Sequence, residues 1–468
     1  MASEDPRDLT AGAPPHSSVL RERCGDIIVV PGDPAYDDAR VPWNVAVDQR
    51  PAAVGIPRTV EDVQTIVGAA AALGMQVAAQ TTGHAAAVLA EHELGNAVLL
   101  RTHELAQVAI DPERRIAHIG GGVIWQPVVE AAAQHGLAAQ HGSSPDVGVA
   151  GYLLGGGLSW YARAKGLATN DVVAVELVTA DGSLIRASAD EHEELFWALR
   201  GGGGNFGVIT SIELKLHRIP DVYAGLMLWD IQHLEPVLRH WVKWAQEAPD
   251  EVTTSLRALR FPPLPDLPPF LQGRHLVVVD GAFIGDDDAG ASLLAGFREL
   301  TPEMDTWTRT PAEGLTALHM DPPGPTPSVG VGTLLFDLDE AGIQAFIDAV
   351  GPAAQTSLLA AELRQLGGAA SRPVPGGGVV NRIDAAYAGF FVAVAATPEM
   401  AEAGRADGER ARSALAAWET GRTFLNLMDE AVDVQTAYGH DALVRLSQLR
   451  EQVDPDGVML ANHAVPGA

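Results

Sequence analysis

The residues of this chain best suited to chemistry are three glycine clusters and a histidine that follows a glycine. The clusters are Gly120, Gly121 and Gly122, then Gly155, Gly156 and Gly157, then Gly201, Gly202, Gly203 and Gly204; the histidine is His84 in Gln80-Thr81-Thr82-Gly83-His84. Glycine lets a backbone approach a ligand closely and adopt positive φ, and the N–H groups it leaves exposed can bind pyrophosphate. None of the clusters has the spacing of a Walker loop or of a dinucleotide fingerprint after the first strand of a βαβ unit. A conventional Rossmann dehydrogenase is therefore disfavoured.

These residues need a scaffold. From Val54 to about Leu216, helix and strand signals alternate with short glycine-rich links, which predicts α/β layers. Thr59, with Asp62 three positions on, suits a helix N-cap. Val60, Val63, Val67 and Ala70 then recur at helical spacing until Gly74. A strand at 76–80 runs into the His84 loop, followed by strands at 97–100 and 116–119, a helix at 126–134, and an alternating strand through Ile212, Leu214 and Leu216. The pattern changes at Ile219-Pro220. Longer strands at 252–261 and 275–284 alternate with helices at 234–246 and 340–350, which predicts an antiparallel sheet backed by helices. The proline-rich run 262–269 is expected to be a loop. Glycines 376–378 read as a turn before a strand at 379–394, and Glu362 is expected on an amphipathic helix, facing water.

Composition narrows the partners. With 31 basic and 60 acidic residues the net charge is -29, which repels phosphate backbones and anionic lipid, so neither nucleic acid nor a membrane surface is expected. Cys24 is the single cysteine, which rules out an intrachain disulfide and a thiolate zinc cluster. The first twenty residues lack the apolar centre of a signal peptide, and no run of about 18 apolar residues follows, so a soluble cytoplasmic protein is expected.

Three motifs in order are more specific than any one. The QTTGH run at 80–84, the GSSPDVGVAGYLLGGG run at 142–157 and the ELFWALRGGGGNFGV run at 194–208 resemble the flavin domain of the vanillyl-alcohol oxidase and berberine-bridge-enzyme-like FAD-linked oxidases. Tyr438-Gly439, Arg445-Leu446, Asp454-Pro455 and Asn462 are similar to that family's C-terminal segment, and the stretch 116–216 is nearest in character to its nicotine-oxidase branch. The resemblance implies an α+β fold: a two-lobed α/β FAD-binding domain of the PCMH type at 24–218, an inserted substrate domain at 219–420, and a segment at 421–468 that returns to the FAD domain. It further implies that Thr81, Thr82, Gly83, His84 and Ala85 hold the FAD pyrophosphate, with His84 bonded to the flavin 8α-methyl group. Thr82 stands where relatives have a first glycine. Ser144 replaces the cysteine that gives many relatives a second bond, so attachment through His84 alone is expected.

By the same resemblance Val147 marks the position associated with oxygen access, which implies dioxygen as acceptor. Val149 and Val208 offer backbone groups to FAD, Gly148, Gly151, Gly156 and Gly207 allow close approach, Tyr152 touches the ribityl chain, and Asn462 completes the cofactor set. Sugar and alcohol oxidases of this type carry a tyrosine base in a Tyr-x-Asn pattern, but here the residues are Phe424, Leu425 and Asn426. Phenylalanine cannot take a proton. Either the substrate is an amine that needs no dedicated base, or the base comes from the inserted domain, where alternation places Arg382 and Asp384 on one face of a strand and Tyr387 on the other. Asn426 and His141 are the remaining polar candidates. The expected partners are a small cyclic amine or hydroxylated secondary metabolite and dioxygen, with no metal, in a monomer or homodimer. A tailoring flavoenzyme and a non-redox flavin scaffold are the alternatives.

Overall fold

The computed structural model describes residues 15–467 except 264, 266, 267 and 323. The polar leader before residue 15 and three positions of the proline-rich run lie outside the described residues. Three sheets follow one another along the chain.

The first sheet contains β1 (Ile28–Val29), β2 (Ala53–Gly55), β3 (Gln76–Gln80) and β4 (Ala97–Arg101), in the order β1-β2-β4-β3. β4 pairs in parallel with both neighbours, and β1 is antiparallel to β2. Residues 97–100 are uninterruptedly apolar because this strand is buried between two others. The helix Val60–Ala72 joins β2 to β3. The Thr59 hydroxyl accepts the Asp62 N–H at 3.2 Å and the Asp62 carboxylate accepts the Thr59 N–H at 3.1 Å, a reciprocal cap. The helix buries Val63, Ile66, Val67 and Ala70 against the sheet, and Gly74 at φ +65 releases the chain into β3. β3 in turn ends at the His84 loop.

The second sheet is β5 (Val108–Asp111), β6 (Ile116–Gly120), β7 (Val172–Val178), β8 (Leu184–Ser188) and β9 (Val208–Lys215), in the order β5-β6-β9-β7-β8. Its pairings are all antiparallel, and helices alternate with its strands through residue 216 as expected. The helices Trp125–Ala133 and Val149–Leu154 cover it around a core that includes Trp125, Phe196 and Phe206. Glycines 120–122 lie where backbone crosses backbone. A Cβ would stand 2.2 Å from Leu105 O at Gly120, 2.0 Å from Ile209 O at Gly121 and 1.7 Å from Thr102 O at Gly122. Packing, not ligand binding, explains that cluster.

The third sheet is β10 (Asp221–Asp230), β11 (Val252–Arg260), β12 (His275–Phe283), β13 (Met304–Asp305), β14 (Thr308–Pro311), β15 (Ser328–Leu335), β16 (Leu358–Gln365) and β17 (Tyr387–Val394). It is antiparallel, in the order β13-β10-β12-β11-β16-β17-β15 with β14 on β10. One face packs on the helices Leu234–Glu247, Glu340–Val350 and Pro398–Ala414 through Trp229, Trp241, Phe346 and Phe391. The other face meets the flavin-motif segment: Leu158 and Ala162 share a cluster with Leu334, Ala388 and Phe424, and Trp160 and Tyr161 share one with Val222 and Ala282. Arg163 fastens the two regions by donating to the carbonyls of Val252, Ala248 and Leu366.

Two expectations fail here. The strand expected from 379 begins only at Tyr387, because the N–H groups of Val379, Val380 and Ile383 are taken by the carbonyls of Trp197, Arg200 and Ala370 rather than by a neighbouring strand. Glu362 lies on β16 and is buried, not on a helix facing water. At the C-terminal end the chain comes back to the first sheet: Val77 N–H donates to Val458 O at 2.7 Å and Leu460 N–H to Val77 O at 2.9 Å. Among the described residues no helix is long and apolar enough to cross a membrane.

Candidate active site

The loop after β3 has the form of an anion cradle. Gly83 adopts φ +90, where a Cβ would stand 2.6 Å from Pro42, so a side chain is excluded on both grounds. Among the described residues, the N–H groups of Thr82, Gly83, His84 and Ala85 donate to no protein acceptor. Gly148 lets the second motif touch this loop, since its Cβ would lie 3.2 Å from the Thr81 side chain. The N–H groups of Ser143, Ser144, Asp146 and Val147 are likewise without protein acceptors among the described residues. Consecutive unpaired donors around a positive-φ glycine suit a diphosphate, so the residues present fit the cofactor that the motifs imply.

A continuous hydrogen-bonded path connects the histidine to the rest of the site. His84 Nε2 lies 3.0 Å from Asn426 O, and because a carbonyl only accepts, Nε2 is the donor of this contact. Asn426 Nδ2 donates to Tyr152 O at 2.9 Å, and Tyr152 OH donates to His141 O at 3.1 Å. Gly155 exists to admit Asn426: a Cβ there would fall 1.4 Å from its Oδ1. Gly156, at φ +121, makes room for the Phe424 ring at 2.8 Å. His141 is buried with Nδ1 2.6 Å from Gly142 O and Nε2 unpartnered; burial pushes it down to about 4 and keeps it neutral. Burial also pushes the Tyr152 phenol up, so it stays protonated and cannot serve as a base. Asp429 closes the segment. Burial raises its carboxyl, while the nearby His84 and the Gly330 N–H pull the other way.

Several expected residues lie elsewhere. Tyr387 is in the helix-side core with its ring 5.3 Å from Trp241, on the face turned away from the flavin motifs. Arg382 and Asp384 are exposed and irregular rather than on a strand. Val149 spends its N–H on Val123 O at 2.9 Å, and Val208 pairs with Val178 in the second sheet. Gly207 serves that same crossing, since its Cβ would stand 2.6 Å from Val178 O. Ser144 Oγ donates to Asp146 at 2.8 Å, Val147 is half-buried beside the second-sheet core, Gly151 is exposed with open space where a side chain would be, and Asn462 is half-buried.

The structure adds a cluster that the motifs do not contain. Ser255 and Arg257 on β11, Asp280 on β12, and Glu362 and Arg364 on β16 point from the third sheet toward the flavin-motif segment, where His319 and Trp160 meet them. Asp280 accepts from Arg257 Nη2 at 2.5 Å and lies 3.0 Å from His319 Nδ1. Glu362 accepts from Ser255 Oγ at 2.9 Å and Arg364 Nε at 2.7 Å, and its other oxygen is 3.5 Å from His319 Nε2. The Trp160 ring is 5.6 Å from His319 and 5.2 Å from the Arg364 guanidinium. Burial and Arg257 act to lower His319, but Asp280 and Glu362 together outweigh them and raise it. Burial acts to raise Glu362, yet Arg364 and His319 hold it well below the usual carboxylate range. The signal was present in the sequence: polar or charged residues at alternate positions of apolar strands, Ser255 and Arg257 in SLRALR at 255–260 and Glu362 and Arg364 in AELRQ at 361–365.

Residues 51–188 match the family model described as FAD binding domain. (R)-6-hydroxynicotine oxidase of Paenarthrobacter nicotinovorans is 34% identical over 232 residues, which is 49% of this chain and 50% of that protein. The chain thus aligns with about half the length of the curated relatives it matches. Among solved structures, Physcomitrella patens BBE-like 1 superposes with a TM-score of 0.81 at 22% identity, over 96% of this chain and 99% of that one. 6-Hydroxy-D-nicotine oxidase from Arthrobacter nicotinovorans gives 0.80 at 24%, over 94% and 97%. The chain therefore carries an FAD binding domain, within which His84 and the 142–157 motif both fall, and has the fold of BBE-like FAD oxidases.

Proposed function

We propose that the protein is an FAD-dependent oxidase that removes a hydride from a small cyclic amine or hydroxylated secondary metabolite, with dioxygen as the final acceptor. The observation that supports it most is the unpaired amide run at 82–85 placed beside His84, Asn426 and Tyr152. Bound FAD would supply the hydride acceptor. His84 would anchor it through Nδ1 as the single covalent attachment, since Ser144 offers no thiol. Residues 219–420 would form the substrate domain, with the charged face of the third sheet turned toward the substrate.

The two substrate types differ in what they ask of the protein. An amine that binds as the free base needs no proton acceptor, which accords with Phe424 and with the (R)-6-hydroxynicotine oxidase relative. A hydroxyl needs one. His319, oriented by Asp280 through Nδ1 and flanked by Glu362, is the group on this face suited to take that proton, and its imidazolium would be stabilised by the two carboxylates. This geometry gives the alcohol reading its own support.

Acid precipitation of the purified protein tests the cofactor. Yellow colour is expected in the pellet, and His84→Ala is expected to move all flavin to the supernatant. Flavin that stays in the pellet of His84→Ala, or a wild-type protein with none, overturns the assignment. Anaerobic bleaching by an amine panel against a matched alcohol panel separates the two readings. His319→Gln should abolish bleaching by alcohols and leave amines unaffected.

A further inference from the structure

The loop at 82–85 can present its N–H groups inward only if its carbonyls are held outward. Across a trans peptide the C=O and the following N–H point in opposite directions, so a carbonyl tied on one side turns the next amide to the other. Two successive carbonyls are tied in this way. Thr82 O accepts the Trp43 N–H at 2.7 Å, and Thr81 O accepts Arg101 Nη2 at 3.3 Å.

Arg101 is itself fixed. Its Nη1 donates to Val41 O at 2.7 Å and to Ala39 O at 3.4 Å, and Nε is buried without a partner. Burial lowers its guanidinium, and among the described residues no carboxylate offsets that. A largely buried cation without a counter-charge is costly unless an anion comes close. Trp43 reaches further. Its indole N–H donates to Asp146 at 2.7 Å, and the other oxygen of Asp146 accepts Ser144 Oγ, which fixes the second loop. Its carbonyl accepts the Thr326 N–H at 3.1 Å, and Asn44 exchanges hydrogen bonds with the Ser328 backbone at the head of β15. The strap 39–44 lies outside the matched FAD binding domain, yet it touches both cofactor loops and the third sheet.

Resting on the FAD reading above, we infer that Arg101 and Trp43 are positioning residues for the diphosphate: they turn the Thr82 and Gly83 amides into the cradle, and Arg101 supplies the positive charge that the loop otherwise lacks. Loss of Arg101 then weakens recognition of the diphosphate and not of the isoalloxazine ring.

The test uses full-length protein in the His84→Ala background, where binding is reversible, with ADP-ribose and riboflavin as separate probes. Arg101→Gln is expected to weaken ADP-ribose several-fold, leave riboflavin unchanged and leave the melting temperature of the unliganded protein unchanged, with partial rescue by Arg101→Lys. In the otherwise wild-type chain, Arg101→Gln should lower the acid-precipitable flavin, and Trp43→Phe, which loses only the Asp146 bond, should lower it less. Unchanged ADP-ribose affinity in Arg101→Gln overturns the inference, as does an equal loss of both probes with a lower melting temperature, which marks a packing role. If His84→Ala binds FAD and Arg101→Gln does not alter that binding, only the inference fails. A wild-type protein that takes up no FAD overturns the cofactor reading and the inference with it.

Discussion

Two buried histidines show how differently the two halves of the site are built. His141, in the flavin-motif segment, is pushed down to about 4 by burial, whereas His319, packed against the third sheet, is raised because Asp280 and Glu362 outweigh its burial. The cofactor side offers mainly backbone donors, with the Arg101 guanidinium behind them. The sheet side concentrates charge and balances it internally. A site made of backbone is suited to one fixed guest, and a site made of side chains can be retuned one residue at a time.

The sharpest way to break this contrast is to unbalance the sheet. Glu362→Ala strands Arg364 and His319 in a dry interior and should cost about 3–5 kcal/mol in denaturant unfolding. The double change of Glu362 and Arg364 to apolar residues of similar volume should recover much of that loss. A small effect of Glu362→Ala would show that water reaches the cluster.

The histidines should also titrate stability in opposite senses. His141 is depressed in the folded state, so its contribution is present above about pH 6.5, the unfolded value, and is lost as pH falls from there toward about 4. The shift corresponds to about 3 kcal/mol as an upper figure. His319 is raised, so its contribution is complete below about pH 6.5 and is lost as pH rises through its folded value. Melting curves across this range should lose their acid limb in His141→Gln and their alkaline limb in His319→Gln. The same slopes in both variants and the wild type would refute the assignment.

Smaller effects sharpen the comparison on the cofactor side. Gly155→Ala forces Asn426 off Tyr152 O and should cost about 1–3 kcal/mol while lowering covalent flavin. Thr59→Ala removes half of a reciprocal cap remote from both regions and should cost about 1 kcal/mol with flavin content unchanged, which makes it the control.

The cofactor side was legible in the sequence for a physical reason. A backbone cradle depends on glycines and turns that are neighbours along the chain, so Gly83, His84, Gly148 and Gly156 stand out in short runs, and the Thr59 cap and the helix it starts could be read the same way. The sheet face is assembled from β11, β12, β16 and the loop carrying His319, and no local pattern links them. Tyr387 shows the cost: alternation named two faces but not which one turns toward the flavin motifs, and the strand it was placed on starts only at that residue. Arg101 and Trp43 escaped for a similar reason, since the Arg101 guanidinium and the Trp43 N–H donate to backbone carbonyls, and almost any sequence supplies those.

The return of the chain to β3 has a consequence for biosynthesis. The strand that delivers the His84 loop is bonded at Val77 by Val458 and Leu460, and His84 itself leans on Asn426, so residues made early wait for residues made much later. A ribosome-bound fragment would hold His84, the proposed anchor, without the carbonyl that its Nε2 contacts. Flavin incorporation should therefore be post-translational, and the yellow colour of a preparation becomes a count of molecules that finished folding.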